Sequence, residues 1–579
     1  SLSCQNRWLY LKGTSDSVLH RLLFLSLFVV VSGNNPDVVR AEITLRPLGT
    51  FHTGLYDKSA AEIPTYCQKT KRVFVVNAES GQVDVLGLGD DGSLTKVGSI
   101  NAAGDLGNGM SAVNSVSVYG GTLAIAIEAG VITENGRVAF YDTESLELKG
   151  SVEAGALPDM VTFTPDGKWV LVANEGEPNE EYTIDPEGTV TVIDIRNGFD
   201  KPKTRTVTFR DWNADGKHAQ ELPELKKRGL RIFGQVSQSG DLKKKIPATF
   251  AQDAEPEWIA VDHESRFAYV CLQEVNAVAE IDIAKATVCR IIPLGYKNFG
   301  EAGNGIDASD EDNRIDIRPR SGLFGILQPD TIRIYQQNGK RLLVTANEGD
   351  SRVRPTSDDA VPGLEEGTVF EDEASLDDWP TAGTQFEKKT SDTELGRLKL
   401  VRDLVDDHLD EKGRPTQLFA FGSRSFSILD LTTGGLVFDS GDDFEQITAK
   451  RYPEFFNVSN DSLKKEKRSR SKGPEPEGLV LGTVGQKTYA FVGLERIGGI
   501  MVYDITNPES SKHVGYFNNR QFDVPATLSD GTANPDAGDS GIEGLIFVPA
   551  EKSPTSTNLV VVGNETSGTT TVWEVVPSQ

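Results

Sequence analysis

The stretch Pro158-Asp159-Met160-Val161-Thr162-Phe163-Thr164-Pro165-Asp166-Gly167-Lys168-Trp169-Val170-Leu171-Val172-Ala173-Asn174-Glu175 decides the fold. It reads as two apolar strands joined by a Pro-Asp-Gly turn. The first, strand A, runs over 157–163. The second, strand B, runs over 168–174 and ends on a glutamate. A third strand with a Val-x-Val-Ile-Asp signature follows at Gly188 to Ile195, and a polar fourth at Lys203 to Phe209. The same pattern recurs along the chain. Apolar strands end at Glu79, Glu128, Glu175, Glu274, Glu348, Glu495 and Glu565, and most are followed by a VDVL- or VIDI-like strand. Four antiparallel strands repeated about a centre predict an all-β β-propeller.

Eight B-like strands can be counted, starting near 71, 121, 168, 266, 340, 417, 487 and 557. The unit around 417–431 (LFAFGSRSFSILDL) has no clear strand A, so the reading stands at seven or eight blades. The last unit stops without a fourth strand, while Ile43 to Phe51 resembles the outer strands elsewhere. An N-terminal strand is therefore expected to complete the last blade and close the ring, removing open sheet edges. Long insertions are expected near 210–252, 296–327, 353–415 and 444–473 in one propeller domain spanning 42–579.

The acids repeat twice per unit. Strand A opens on Glu62, Asp159, Glu257, Asp330, Glu477 and Glu543, with Asn114 at that place in the second unit. Strand B runs antiparallel to A, so the A-start acid and the B-end glutamate meet at the same end of each blade. Thirteen carboxylates are thus expected around one channel mouth: Glu62, Glu79, Glu128, Asp159, Glu175, Glu257, Glu274, Asp330, Glu348, Glu477, Glu495, Glu543 and Glu565. Two like charges about 8 Å apart repel by roughly 0.5 kcal/mol in water and about 2 kcal/mol at intermediate dielectric. Such a ring calls for cations, raised pKa values or interleaved arginines. All-oxygen donors select hard cations, so Ca²⁺ is the expected cofactor. The alternative is structural locking, each carboxylate accepting backbone N–H groups of the next blade. Arg424, where the unit at 417–431 lacks its glutamate, and Arg352 are candidate anion-binding groups. Asp307, Asp310, Asp312 and Asp316 alternate like a calcium loop, without the glycine and terminal glutamate of an EF-hand.

Composition narrows the function classes. The 579 residues carry a formal charge of −27, which argues against nucleic acid and anionic membrane surfaces as partners. Leu22 to Val31 matches the h-region of a signal peptide and is too short to span a bilayer. Residues 1–41 are therefore read as signal peptide and leader, and the mature chain as secreted, periplasmic or cell-surface without a transmembrane span. Cys67, Cys271 and Cys289 are an odd number beyond Cys4, and no CxxC or HExxH motif supports zinc. Asn457, Asn460 and Asn564 open glycosylation sequons, relevant only in a eukaryotic host.

The segments VVNAESGQVDVL, PDMVTFTPDGKWVLVANEGEP, QPDTIRIY, LLVTANEGDSR, GPEPEGLVL and GIEGLIF resemble the choice-of-anchor I family of secreted and cell-surface propellers, whose animal relatives are called mesenchyme-specific cell surface glycoproteins. The blades are also similar to YVTN repeats. The resemblance implies export and a propeller, with no agreed activity. A weaker likeness to calcium-dependent propeller phosphatases and phytases implies an alternative: a metal-dependent phosphoesterase in which the acids hold Ca²⁺ and Arg424 or Arg352 clamps phosphate. The two readings are a Ca²⁺-binding surface propeller that binds partners or glycans, and this hydrolase.

Overall fold

The computed structural model describes residues 42–107, 109–238, 241–354 and 370–577. The leader expected at 1–41 lies outside them, as does Cys4. The described chain is all-β, and nearly all strand pairs are antiparallel. Seven four-stranded sheets follow one another in sequence among the described residues. Their first strands are Pro64–Cys67, Met110–Tyr119, Pro158–Phe163, Pro256–Val261, Ile332–Gln337, Pro476–Val484 and Ile542–Val548.

The third sheet shows the plan: Pro158–Phe163, Trp169–Asn174, Thr189–Asp194 and Lys203–Thr208, each hydrogen-bonded to the next. The middle strands are near-continuous apolar runs, such as Val170-Leu171-Val172-Ala173, because both of their faces are covered. Apolar clusters join each sheet to its successor. Val76, Val85, Val116 and Ile125 join the first to the second, and Met160, Leu171, Ile259 and Val270 the third to the fourth. Another cluster returns from the last sheet to the first through Val548, Val561, Val73 and Val75.

The N-terminal strand Ile43–His52 pairs antiparallel with Thr569–Pro577 and supplies the outer strand of the seventh sheet. Strand B ends also carry a buried asparagine. Asn174 Nδ2 donates to Thr189 Oγ1 and Thr191 Oγ1 at 3.2 and 3.0 Å, and Asn347 Nδ2 to Ser427 Oγ at 2.7 Å. These bonds tie the end of strand B to the start of strand C and leave the following glutamate just past the strand end. The sequon asparagines Asn457, Asn460 and Asn564 are all buried. The three cysteines Cys67, Cys271 and Cys289 are free thiols.

The unit expected around 417–431 is not a sheet of its own. Ser425–Asp430 is the third strand of the fifth sheet, paired with Lys340–Asn347, and Gly435–Asp439 is the fourth. Leu418–Ala420 instead joins a five-stranded sheet built from the insertions, pairing parallel with Leu323–Ile326. That sheet also takes in Tyr296–Asn298, Leu400–Val401 and Glu373–Ala374. Its core is Phe299, Leu323, Leu376, Phe386, Leu398 and Phe419, so the segments around 296–327 and 370–421 form one packed layer. No helix among the described residues is long and apolar enough to cross a membrane.

Candidate metal centre

Five of the seven A strands begin with the same backbone manoeuvre. Two residues before the acid the chain turns through positive φ: 47° at Leu157, 28° at Glu255, 43° at Gln328, 52° at Glu475 and 71° at Gly541. In non-glycine residues this costs about 1–2 kcal/mol each. The register then slips across the acid itself, between Pro158 and Met160, Pro256 and Ile259, Pro476 and Leu479, and Ile542 and Leu545. A bulge re-aims the side chain it contains. Gly563 makes room for this path, since a Cβ there would lie 1.7 Å from the Glu62 carbonyl oxygen.

The re-aimed acids converge. A cavity of about 240 Å³ is lined by Glu62, Asp159, Glu175, Glu257, Asp330 and Glu543, with Asn114 at the second-sheet position. No lysine or arginine lines it. Glu477 adjoins it, with Glu543 as its foremost charged neighbour. Glu257 Oε2 and Glu477 Oε2 are buried without a hydrogen-bond partner. Among the described residues, no backbone N–H donates to these A-start carboxylates; Asp330 takes only the Thr331 hydroxyl, at 2.9 Å.

Their protonation follows from this setting. Burial first, and then Glu565, pushes Glu62 up to about 8. Burial, Glu177 and Glu128 push Asp159 up to about 7, and burial and Glu348 push Asp330 up to about 8. Glu175, Glu257, Glu477 and Glu543 are driven well above the ordinary carboxylate range, by burial and then by one another and their acidic neighbours.

The B-end glutamates other than Glu175 fare differently. Glu348, Glu475 and Glu495 bring carboxylate oxygens within 4.8 Å of one another, but cations of the protein already sit there. Lys472 Nζ contacts Glu348 Oε1 at 2.5 Å and Glu475 Oε2 at 3.3 Å. Arg496 reaches Glu475 Oε2 at 2.7 Å and Glu495 Oε1 at 2.6 Å, and Arg468 Nε reaches Glu475 Oε1 at 2.7 Å. Burial alone would raise Glu475, yet Lys472, Arg468 and Arg496 hold it well below the usual range. Glu274 is buried, with Oε2 unpartnered, and burial above all lifts it to about 8. Glu565 is half-buried and accepts from Ser59 Oγ at 3.3 Å, Glu128 is half-buried and accepts from Ser111 Oγ at 2.7 Å, and Glu79 is exposed. The thirteen positions are therefore not one ring of equals.

The expected anion clamp is not on the chamber. Arg424 is buried and donates to Glu445 Oε1 and to the carbonyls of Asp307, Ser469 and Ser471, at 2.6–2.8 Å. Arg352 is buried against Glu255, Asp253 and Tyr182. Nor do the aspartates of the 307–316 segment converge on a common centre. Asp310 pairs with Arg397 and Arg470, Asp312 with Arg314, and Asp316 with Arg318 and Arg320. Asp307 stands apart, lifted to about 8 by burial and by Glu445.

Sequence reading missed Glu255, Glu475 and Lys472, although a signal existed. Glu255-Pro256-Glu257 and Glu475-Pro476-Glu477 are two copies of Glu-Pro-Glu. In both, the first glutamate takes the positive φ and meets arginine, and the second carries a buried oxygen without a partner.

A family model for the choice-of-anchor I domain matches residues 62–508. The chain belongs to the choice-of-anchor I family. The family span holds five of the six A-start acids, from Glu62 to Glu477, while Glu543 lies beyond it. Among curated relatives, a mesenchyme-specific cell surface glycoprotein of Strongylocentrotus purpuratus is 31% identical over 330 residues, covering 53% of this chain and 41% of the relative. Gigasin-3a of Magallana gigas is 29% identical over 168 residues, covering 28% of this chain and 59% of the relative. The matches thus span about half the length of these relatives. Similar solved structures include hydrazine synthase of Kuenenia stuttgartiensis, at TM-score 0.42 and 12% identity, covering 90% of this choice-of-anchor I chain and 98% of that one. The Cps50 (Swd1) β-propeller domain of Myceliophteria thermophila matches at TM-score 0.40 and 8% identity, covering 92% and 100%.

Proposed function

We propose that the seven sheets close as a seven-bladed propeller whose axial chamber takes up hard divalent cations, Ca²⁺ in an extracellular setting. In this reading the protein is a secreted or cell-surface binding scaffold. The carrying observation is the convergence of Glu62, Asp159, Glu175, Glu257, Asp330 and Glu543 on one cavity that no lysine or arginine lines. The donor set fits the ion: Ca²⁺ takes six to eight oxygens in flexible geometry, and about 240 Å³ leaves room for ion and water together. The partnerless oxygens of Glu257 and Glu477 are those a cation would satisfy. Structural locking receives little support, because backbone donors do not reach these carboxylates. The surface location rests on the family and on the description of the sea urchin relative.

The phosphoesterase alternative keeps its carboxylates but loses its clamp, since Arg424 and Arg352 are spent on interior acids and carbonyls. The test is calorimetric titration of Ca²⁺ into chelator-stripped protein. Saturable uptake is expected, weakened at least about tenfold in Glu543→Gln and Asp330→Asn, since each removes one charged ligand (about 1.4 kcal/mol per tenfold). Absence of uptake, or uptake unchanged in both variants, would reject the chamber as a cation site. Hydrolysis of a phosphomonoester by the Ca²⁺-loaded protein, abolished by chelator and by Glu543→Gln, would instead favour the hydrolase.

A further inference from the structure

Beside the carboxylate chamber lies a smaller cavity of about 130 Å³. The two share Ile63, Ser115, Met160 and Trp258, so these side chains form the partition between them. The chemistry reverses across it. No carboxylate lines the smaller cavity; its polar groups are Arg333 and the hydroxyl residues Thr65, Ser115, Ser117 and Thr162, together with Trp258.

Arg333 lies on the innermost strand of the fifth sheet. Its guanidinium carbon stacks 4.6 Å from the centroid of the Trp258 ring, and NH1 donates to the Ile332 carbonyl at 3.0 Å. No carboxylate among the described residues stands within ion-pair distance of it. The buried arginines Arg231, Arg352 and Arg424 are matched, by Asp372, Glu255 and Glu445. Arg520, also without an acid partner, spends its donors on the carbonyls of Ser459, Asn460 and Arg496. Arg333 has a single carbonyl acceptor, that of Ile332, in a chain of net charge −27. Arg333 is half-buried, and partial withdrawal of its guanidinium from water favours a nearby counter-charge.

The neighbouring groups are set to donate as well. Ser115 Oγ accepts the Val161 N–H at 3.2 Å and Ser117 Oγ the Phe163 N–H at 3.4 Å, so the hydroxyl hydrogens of both remain to be given. Trp258 Nε1 is buried with no acceptor. Donors therefore outnumber acceptors here, the inverse of the chamber next to it.

We propose that this cavity binds a small monovalent anion of the halide class, chloride in extracellular fluid, with Arg333 as counter-charge and the serine hydroxyls as donors. Single charge follows from the adjoining carboxylates, which repel a dianion twice as strongly. Weak hydration follows from the apolar walls supplied by Val116, Val161 and Leu545. Burial draws Arg333 down to about 10, against the opposing pull of Asp330.

Bromide is the probe. Crystals soaked in bromide are expected to show anomalous density in the cavity, in contact with the Arg333 guanidinium. Density only at the protein surface would overturn the proposal. In solution, replacing gluconate by chloride or bromide at constant ionic strength is expected to raise the unfolding midpoint by about 1–2 °C. The rise should vanish in Arg333→Gln and shrink in Ser117→Ala, which keeps the arginine charge and so guards against misfolding of the first variant. Equal midpoints in gluconate and chloride for the wild-type protein would show that the cavity takes up no halide, and the proposal fails. The halide response should persist in Glu543→Gln, which separates its failure from that of the cation reading.

Discussion

With divalent cations removed, the protein should lose stability as pH rises from about 5 to about 8, the reverse of ordinary acid denaturation. Asp159 is held at about 7, and Glu62 and Asp330 at about 8, against ordinary values of 3.8 to 4.5. A carboxyl whose folded pKa is raised binds its proton more tightly in the folded state. That contribution is complete below the unfolded value and disappears as pH climbs through the folded one. For Asp159 the whole interval corresponds to about 4 kcal/mol, of which roughly 3 kcal/mol falls between pH 5 and 8. The acids titrate together, so their total is less than the sum of single shifts. Glu475, held low by its cations, loses its contribution only in strong acid and leaves this window untouched. Ca²⁺ should reverse the slope, because a bound cation favours the ionised chamber. The assay is denaturant unfolding followed by circular dichroism at pH 5, 6.5 and 8, approximate settings chosen to bracket these pKa values, in chelator and in Ca²⁺. A loss of at least about 3 kcal/mol is expected in chelator, with Ca²⁺ rescue large at the alkaline end and small at the acid end. The double variant Asp330→Asn/Glu543→Gln should flatten both dependences. Chelated protein as stable at pH 8 as at pH 5 would refute the reasoning, as would equal Ca²⁺ rescue in the double variant.

Three further outcomes follow from particular contacts. Arg352→Met strands Glu255 and Asp253 in the interior and should cost about 3–5 kcal/mol in the same unfolding assay, without rescue by Ca²⁺. Gly563→Ala places a methyl group against the Glu62 carbonyl; a loss of more than about 2 kcal/mol is expected, together with a weaker Ca²⁺ response because Glu62 is displaced. Deleting Ile43–His52 bares the edge of Thr569–Pro577, so lower stability and concentration-dependent association should appear on size-exclusion chromatography.

Strand pairing was legible wherever a two-residue period ran between turn residues, as in Pro158 to Asn174 and in the final sheet completed by Ile43–His52. The fifth sheet was not. Its second strand, Lys340–Asn347, is separated from its third, Ser425–Asp430, by the whole of 348–424. The apolar run Leu418–Ala420 just before that third strand imitates a strand B. Periodicity reports that such a run is buried on a sheet, but not which sheet receives it. Here a parallel partner in another insertion, Leu323–Ile326, takes it. Arg424 consequently falls at the foot of a third strand, buried against Glu445, and not at a channel rim.

For the site, the repeat foretold which residues are acidic and which end of each sheet they occupy. It could not foretell which would be neutralised, because the neutralising cations lie largely outside the repeat. Lys472 and Arg468 come from the insertion after the fifth sheet, and Arg352 and Arg354 from the insertion within it. They divide the carboxylates into a tier answered by protein cations and a chamber that is not. The two Glu-Pro-Glu segments draw the division most sharply. Glu255 and Glu475 are each met by arginine, while two residues on, past a bulge, Glu257 and Glu477 each keep a buried oxygen with no partner. Had locking of the strands been the only demand, the second glutamate could have been any residue that fits the bulge. Aiming carboxylates inward in five of the sheets, through backbone turns that cost about 1–2 kcal/mol each at the non-glycine positions, is what the proposed cation uptake would require.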